Sequence, residues 1–191
     1  QHLGQMVGPA GIGVGDEPCV RLQAQDAVAV QAGYDPELEA EQMLYRPLFF
    51  TSFLIDDFLA DHEATTGDGI GVMGFCMGGM LTFVLAALRP DRVKAAVPFY
   101  GFPQGDDQPD YSRIEAAIQG HMAEHDDFFP PSAAMHLEEE LKALGKDVSI
   151  TVHLGTGHAF MAPHNALGTQ NQEKYDEIWP QATAFLHEQL A

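Results

Sequence analysis

"GIGVMGFCMGGMLTFVLAALRP", residues 69–90, reads as a strand that stops and a helix that starts. Residues 69–75 form a short apolar run, and 78–90 are mostly apolar and end before Pro90, which cannot continue a helix. Between them lies Gly74-Phe75-Cys76-Met77-Gly78. That spacing is a nucleophile elbow with sulfur where serine is usual. Two readings stand at this point: Cys76 is a nucleophile, or it is a small buried residue beside a tight turn.

Toward the C-terminus, "VKAAVPFYG" (93–101) is a second strand, and "IEAAIQGHMAEHD" (114–126) holds a third over about 116–122. "PSAAMHLEEELKALG" (131–145) is a helix with a glycine stop, and its "EEE" at 138–140 reads as a solvated face. "DVSITVHLGTGHAF" (147–160) is a strand that ends near His153 and runs into a loop. "NQEKYDEIWPQATAFLHEQL" (171–190) is a final helix, kinked at Pro180. Strands alternating with helices predict a parallel sheet covered on both faces, with its site beyond the carboxyl ends of the strands.

Toward the N-terminus the pattern weakens. Residues 36–63 read as helical with a break before Pro47, and "LFFTSFLIDDFLADHEA" (48–64) carries an apolar stripe that suits packing on a sheet. Residues 19–32 are ambiguous between helix and strand, and fit a short helix stopped at Gly33 slightly better. The glycine-rich "GPAGIGVGDEP" (8–18) has no clear strand before it and no GK[ST] after it, so it is not read as a phosphate loop.

The 191 residues suit a single domain, 1–191, with 67–190 its recognisable part. Nine Lys+Arg against 28 Asp+Glu give a net charge of −19, which repels nucleic acid and anionic membranes. Adaptation to high salt and a plain acidic protein both fit that excess. No apolar run reaches the length of a membrane span, and the first residues lack the basic start and apolar run of a secretory leader. Two cysteines, Cys19 and Cys76, make no disulfide framework, so a reducing compartment, the cytoplasm, is expected. The cysteines have no zinc spacing, and the histidines near the site (His121, His125, His153 and His164) match no ligand motif.

Three residues fall at carboxyl ends of successive strands: Cys76, Asp126 and His158. They are separated by 50 and 32 residues, enough for one or two βα units each. Their order, nucleophile then acid then histidine, is that of an α/β-hydrolase triad. A thiol at its ordinary pKa of about 8.5 is mostly protonated at neutral pH, so it needs a base or a positive environment, and a helix N-terminus is one. His158 is expected to take the thiol proton, Asp126 to hold the imidazole in the right tautomer, and the backbone N–H of Met77 to face a developing oxyanion. Gly74 and Gly78 are expected to allow the strained turn and close helix–strand packing. Tyr100 and Phe102 suit either an apolar pocket or core packing, whereas Trp179, Tyr175 and Phe185 read as core or rim.

"GFCMGG" (74–79), "HMAEHDDFFP" (121–130) and "GHAF" (157–160) together resemble the dienelactone hydrolase family. The resemblance implies a three-layer α/β-hydrolase fold with a mostly parallel sheet, a Cys–His–Asp triad, no metal or organic cofactor, and hydrolysis of lactones and esters. The family pattern sets its Asp five residues after a His and four before a Pro, which selects Asp126 between His121 and Pro130, with Asp127 as fallback. The chain departs from the pattern twice. The first strands and the "HE" loop, whose Glu tunes the cysteine and whose backbone completes the oxyanion hole, have only a faint echo in "GIGV" (11–14), "AGY" (32–34) and "DPEL" (35–38); Glu17 fits no pattern there. The N-terminal strands are thus expected to be shortened or missing. Dienelactone-specific members also carry an Arg soon after the catalytic His to bind the substrate carboxylate, where this chain has Phe160-Met161-Ala162-Pro163. Arg46, Tyr100 and Phe160 are the remaining candidates for substrate contact.

The expectation is an ester or lactone hydrolase acting on a small molecule through Cys76, His158 and Asp126. The rivals are a non-catalytic binding module on the same fold and a redox-sensitive thiol protein. Monomer and homo-oligomer both remain open.

Overall fold

The computed structural model describes residues 69–105 and 108–191, all within one compact unit spanning 45–191. The helices expected over 19–32 and 36–63, the stripe at 48–64, the loop at 8–18, and Cys19, Glu17 and Arg46 lie outside the described residues. The elements run β1 (Ile70–Phe75), α1 (Met77–Leu88), β2 (Val93–Phe99), a 3-10 turn (Tyr111–Arg113), β3 (Ala117–His125), α2 (Pro131–Ala143), β4 (Val148–Gly157) and α3 (Gln172–Gln189). The four strands form one sheet in the order β1-β2-β3-β4, and every pairing is parallel.

Two apolar clusters make the layers. On one face Phe83, Ala86 and Ala87 of α1 and Ala134, Leu137 and Leu141 of α2 pack with Val93, Ala96, Ile118, Met122 and Ile150 of the sheet. On the other, Ile178 and Ala182 of α3 meet Val97, Phe99 and Ala123. The side chains of Ala96 and Val97 thus point to opposite faces, and with both faces covered β2 reads as the near-continuous apolar run VKAAVPF. The final helix runs through Pro180, and Asn171 caps it by accepting from Lys174 N–H at 3.0 Å.

Three expectations change. Glu138 is buried, not solvated: its carboxylate accepts from Ile150 N–H and from Lys142 Nζ, both at 2.8 Å, while Glu139 and Glu140 are exposed. The third strand runs on to His125, and the fourth does not end near His153 but continues to Gly157. The reason is a bulge. Ala123 pairs with His153 and His125 with Gly157, so β4 carries extra residues against β3. Gly155 takes φ 72° there, and its N–H donates to Glu124 Oε2 at 2.8 Å. Asp126 and His158 therefore each follow immediately on a paired strand end. Among the described residues no helix is long and apolar enough to cross a membrane.

Candidate active site

Cys76 occupies the turn between β1 and α1 with φ 56° and ψ −121°, a strained conformation for a residue with a Cβ. Its N–H donates to Phe99 C=O at 3.0 Å, and its C=O accepts from Gly79 N–H at 2.9 Å. Backbone packs against backbone around it. A Cβ at Gly74 would collide with the Gly78 carbonyl, one at Gly79 would lie 2.8 Å from the Phe99 and Gly101 oxygens, and one at Gly101 would collide with the Cys76 carbonyl. The glycine requirement falls on 74, 79 and 101. Gly78, expected to share it, has nothing among the described residues within 4 Å of its missing Cβ; its backbone, not its lack of a side chain, fills the space over Gly74.

The turn brings the three chemistry-bearing side chains together. His158 Nε2 lies 3.2 Å from Cys76 Sγ, and His158 Nδ1 lies 2.8 Å from Asp126 Oδ2. The other carboxylate oxygen of Asp126 accepts from the N–H groups of Phe128 and Phe129, both at 3.0 Å, and the side chain has no exposure. A carboxylate at Nδ1 puts the imidazole proton there and leaves the Nε2 lone pair facing the thiol. Asp127 is exposed and makes none of these bonds. Met77, the first residue of α1, contributes one of the N–H groups that a helix start leaves without an intrahelical acceptor.

Among the described residues only Cys76, Tyr100 and Ala159 combine a side chain with positive φ, at 56°, 35° and 64°. All three border His158. Ala159 follows it in the chain, and the Tyr100 ring meets it edge-on at 5.2 Å. Such conformations cost on the order of 1–3 kcal/mol each and gather at functional sites. Burial first, and the nearby Cys76 charge second, push the Tyr100 phenol well above its usual range, so its hydroxyl keeps its proton. Phe160 is fully buried and packs on Tyr100 at 5.4 Å, and the two rings together border a cavity. Phe102 is likewise core, against Phe129.

A cavity of about 430 Å³ opens over the thiol, lined by Cys76, Met77, Met80, Phe128, Phe129, His158 and Leu167. Phe128 and Leu167 are 66% and 59% exposed at its mouth. Phe75, Tyr100, Phe160, Met161, Tyr175 and Trp179 border a second cavity of about 520 Å³. Among the described residues no group of three or more His, Cys, Asp or Glu side chains is placed to hold a metal ion.

Sequence reasoning passed over one pair. His121 Nδ1 and His153 Nε2 lie 3.0 Å apart, buried between Phe99 and Phe160. A signal for it exists: His121 precedes Asp126 by five residues, and His153 precedes His158 by the same five. The other two candidates are peripheral. His125 is exposed beside Glu124, and exposed His164 accepts from Ala166 N–H at 3.4 Å.

Comparison with known proteins bears on the family and the fold. A family model described as the dienelactone hydrolase family matches residues 53–190. "Protein usf" of Aquifex pyrophilus is 33% identical over 139 residues, which span 70% of this chain and 57% of that protein. The chain thus matches little more than half of that relative's length. Among solved structures, the dienelactone hydrolase-like promiscuous phosphotriesterase P91 from metagenomic libraries is 18% identical at TM-score 0.67, covering 78% of this chain and 66% of P91. Esterase PE8 is 24% identical at TM-score 0.54, covering 82% of this chain and 68% of the esterase. These two likenesses speak for the fold.

Proposed function

The chain belongs to the dienelactone hydrolase family, and on that premise we propose that it hydrolyses a lactone or carboxylic ester with Cys76 as nucleophile, His158 as base and Asp126 as orienting acid. The observation that carries this reading is the continuous relay from sulfur to carboxylate, 3.2 Å and then 2.8 Å, with every Asp126 oxygen engaged. Cys76 Sγ attacks the carbonyl carbon while its proton passes to His158 Nε2. The tetrahedral oxyanion turns toward Met77 N–H. Collapse breaks the bond to the alcohol oxygen, which leaves with the proton from His158, and a thioester remains. Water then loses a proton to His158 and attacks the thioester. The acid departs, and the proton returns to sulfur.

The apolar lining supports a substrate with an uncharged acyl group. Among the described residues no Lys or Arg borders the cavity, and Phe160-Met161-Ala162-Pro163 supplies none after His158. A reducing compartment, the cytoplasm, suits a free thiol at this position.

The test is p-nitrophenyl acetate hydrolysis by the wild type, Cys76→Ser and His158→Ala, with mass spectrometry of quenched enzyme. The expected result is an acetyl adduct on Cys76 that turns over in the wild type and is lost in both variants. A wild type that forms no adduct would sink the reading and leave a binding module. Oxidation of Cys76 by peroxide far outpacing acylation would instead make it a redox-sensitive thiol.

A further inference from the structure

The buried polar group that this reaction does not use is the His121–His153 pair. His121 is 3% and His153 7% exposed, and their rings stack at 5.2 Å. Phe99 stacks on the far side of His121 at 4.9 Å, and Phe160 packs on His153 at 5.5 Å. His121 Nε2 lies 3.2 Å from Gln119 Oε1, an acceptor only, so its proton sits there. His121 Nδ1 is then the acceptor, and His153 Nε2–H donates to it. The two rings form a directional chain of neutral imidazoles ending on Gln119.

We propose that the His121–His153 pair is a positioning element that sets where Asp126 and His158 meet. The pair bridges β3 and β4 at the last regular part of their pairing, and the bulge follows directly. Beyond the bulge, Asp126 and His158 each stand five residues after their own member of the pair. A bulge is where strand register is least constrained by the ladder, so a side-chain tie just before it decides the offset after it. Both histidines are also tied through their backbones. His121 C=O accepts from Tyr100 N–H at 2.8 Å, which holds the ring beside His158, and His153 C=O accepts from Thr156 Oγ1 at 2.7 Å, inside the bulge. The charged groups facing the pair are Lys174 and Glu177 of α3, beside His153. Burial, reinforced by His153, holds His121 down to about 3, so the pair is uncharged at neutral pH.

The inference rests on the triad reading above, and its test separates the two. In His153→Gln the amide nitrogen reaches the place of Nε2 and can still donate to His121, whereas in His153→Asn it falls one methylene short. Two readouts are compared: the rate of Cys76 alkylation by iodoacetamide across pH, and kcat and KM for p-nitrophenyl acetate. Misplacement of a catalytic group by about 1 Å costs roughly 10²-fold, so His153→Asn should lose at least about tenfold in kcat and in alkylation near neutral pH, with KM unchanged. His153→Gln should recover to within about threefold of wild type. Equal behaviour of folded Gln and Asn variants, or a loss carried by KM, overturns the proposal. Should His153→Asn not fold, half-buried Gln119→Leu takes its place: a lower kcat at constant KM supports the proposal, and wild-type kinetics overturn it. Iodoacetamide reads the Cys76–His158 couple without any substrate, so fast alkylation with no ester turnover would fail the hydrolase reading alone.

Discussion

The two ends of the relay are held in opposite ways. Among the described residues the turn at Cys76 is held by close backbone contact: Gly74, Gly79 and Gly101 let three main-chain segments touch, and the cysteine turn is wedged between them. Around Asp126 and His158 the holding is done by side chains, through the Asp126 turn, the histidine pair and the bulge at Gly155. Close backbone packing admits no intermediate state, because an added methyl has no flexible neighbour to displace. Hydrogen-bonded side chains yield by degrees. Substitutions at the nucleophile end should therefore act on folding, and those at the base end on rate.

The sharpest way to break that comparison is a pair of alanines four residues apart. Gly74→Ala drives a Cβ into the Gly78 carbonyl and should cost more than about 3 kcal/mol, in the tail of single substitutions. Gly78→Ala meets no described residue near the start of α1 and should be neutral or gain up to about 1 kcal/mol from lost chain entropy. Urea unfolding of both variants decides. If Gly78→Ala were the costlier, the backbone contact over Gly74 would not be what holds the elbow.

At the other end, Asp126→Asn should leave folding nearly untouched, because its amide oxygen can still accept from Phe128 and Phe129 N–H. It should lower kcat by roughly 10²–10⁴-fold through loss of the Nδ1-protonated tautomer. Burst kinetics with a p-nitrophenyl ester would read this, and a loss of stability matching that of Gly74→Ala would erase the distinction between the two ends.

How legible each end was follows from the same contrast. The elbow could be read from residues 74–79 because its constraint is local: glycines at fixed spacing beside a cysteine. The convergence of Cys76, Asp126 and His158 could be read too, since strand ends collect side chains at one edge of a parallel sheet. The end of β4 could not. Gly155-Thr156-Gly157 has the composition of a loop, yet Gly155 adopts positive φ inside a bulge and the strand re-pairs at Gly157. Glu138 reads as one of three solvated acids, and only tertiary contact with Ile150 N–H, twelve residues on, makes it a buried acceptor. The histidine pair joins residues 32 apart, a contact that periodicity does not reveal. Gly78 shares the spacing but not the constraint, because spacing marks a glycine without showing whether its neighbour is side chain or backbone.

The buried histidines make a graded prediction about pH. Burial holds His121 at about 3 against an ordinary 6.5, and burial and Lys174 lower His153 despite the opposing Glu177. The unfolded chain therefore binds more protons than the folded one across this window, so stability rises with pH. Their contribution is fully present above about 6.5 and is lost progressively as pH falls toward 3. The urea midpoint should fall between pH 6.5 and 4, and the double variant His121→Phe/His153→Leu, with no lone polar partner left behind, should fall less steeply. An unchanged slope would mean that the pair titrates normally and that the side-chain end is looser than its geometry implies.

The smallest effect belongs to the start of β4, where Glu138 ties α2 to Ile150. Burial alone would raise its carboxyl, but hydrogen bonds from Lys142 and from Ile150 N–H, with the Lys142 charge, win and hold it below the usual range. That stability is present above the ordinary carboxyl pKa and disappears as pH falls through the lowered one. Glu138→Gln keeps an acceptor for Ile150 N–H while losing the charge, so it should cost about 0.5–1.5 kcal/mol. Lys142→Ala, removing a partner whose side chain is 55% exposed, should cost less, about 0.5 kcal/mol. Neither should change kcat, because Ile150 lies on the far side of the histidine pair from the bulge. A fall in kcat in folded Glu138→Gln would show that register at the start of β4 reaches His158, and that the tie at His121 and His153 does not isolate the catalytic end from the rest of the strand.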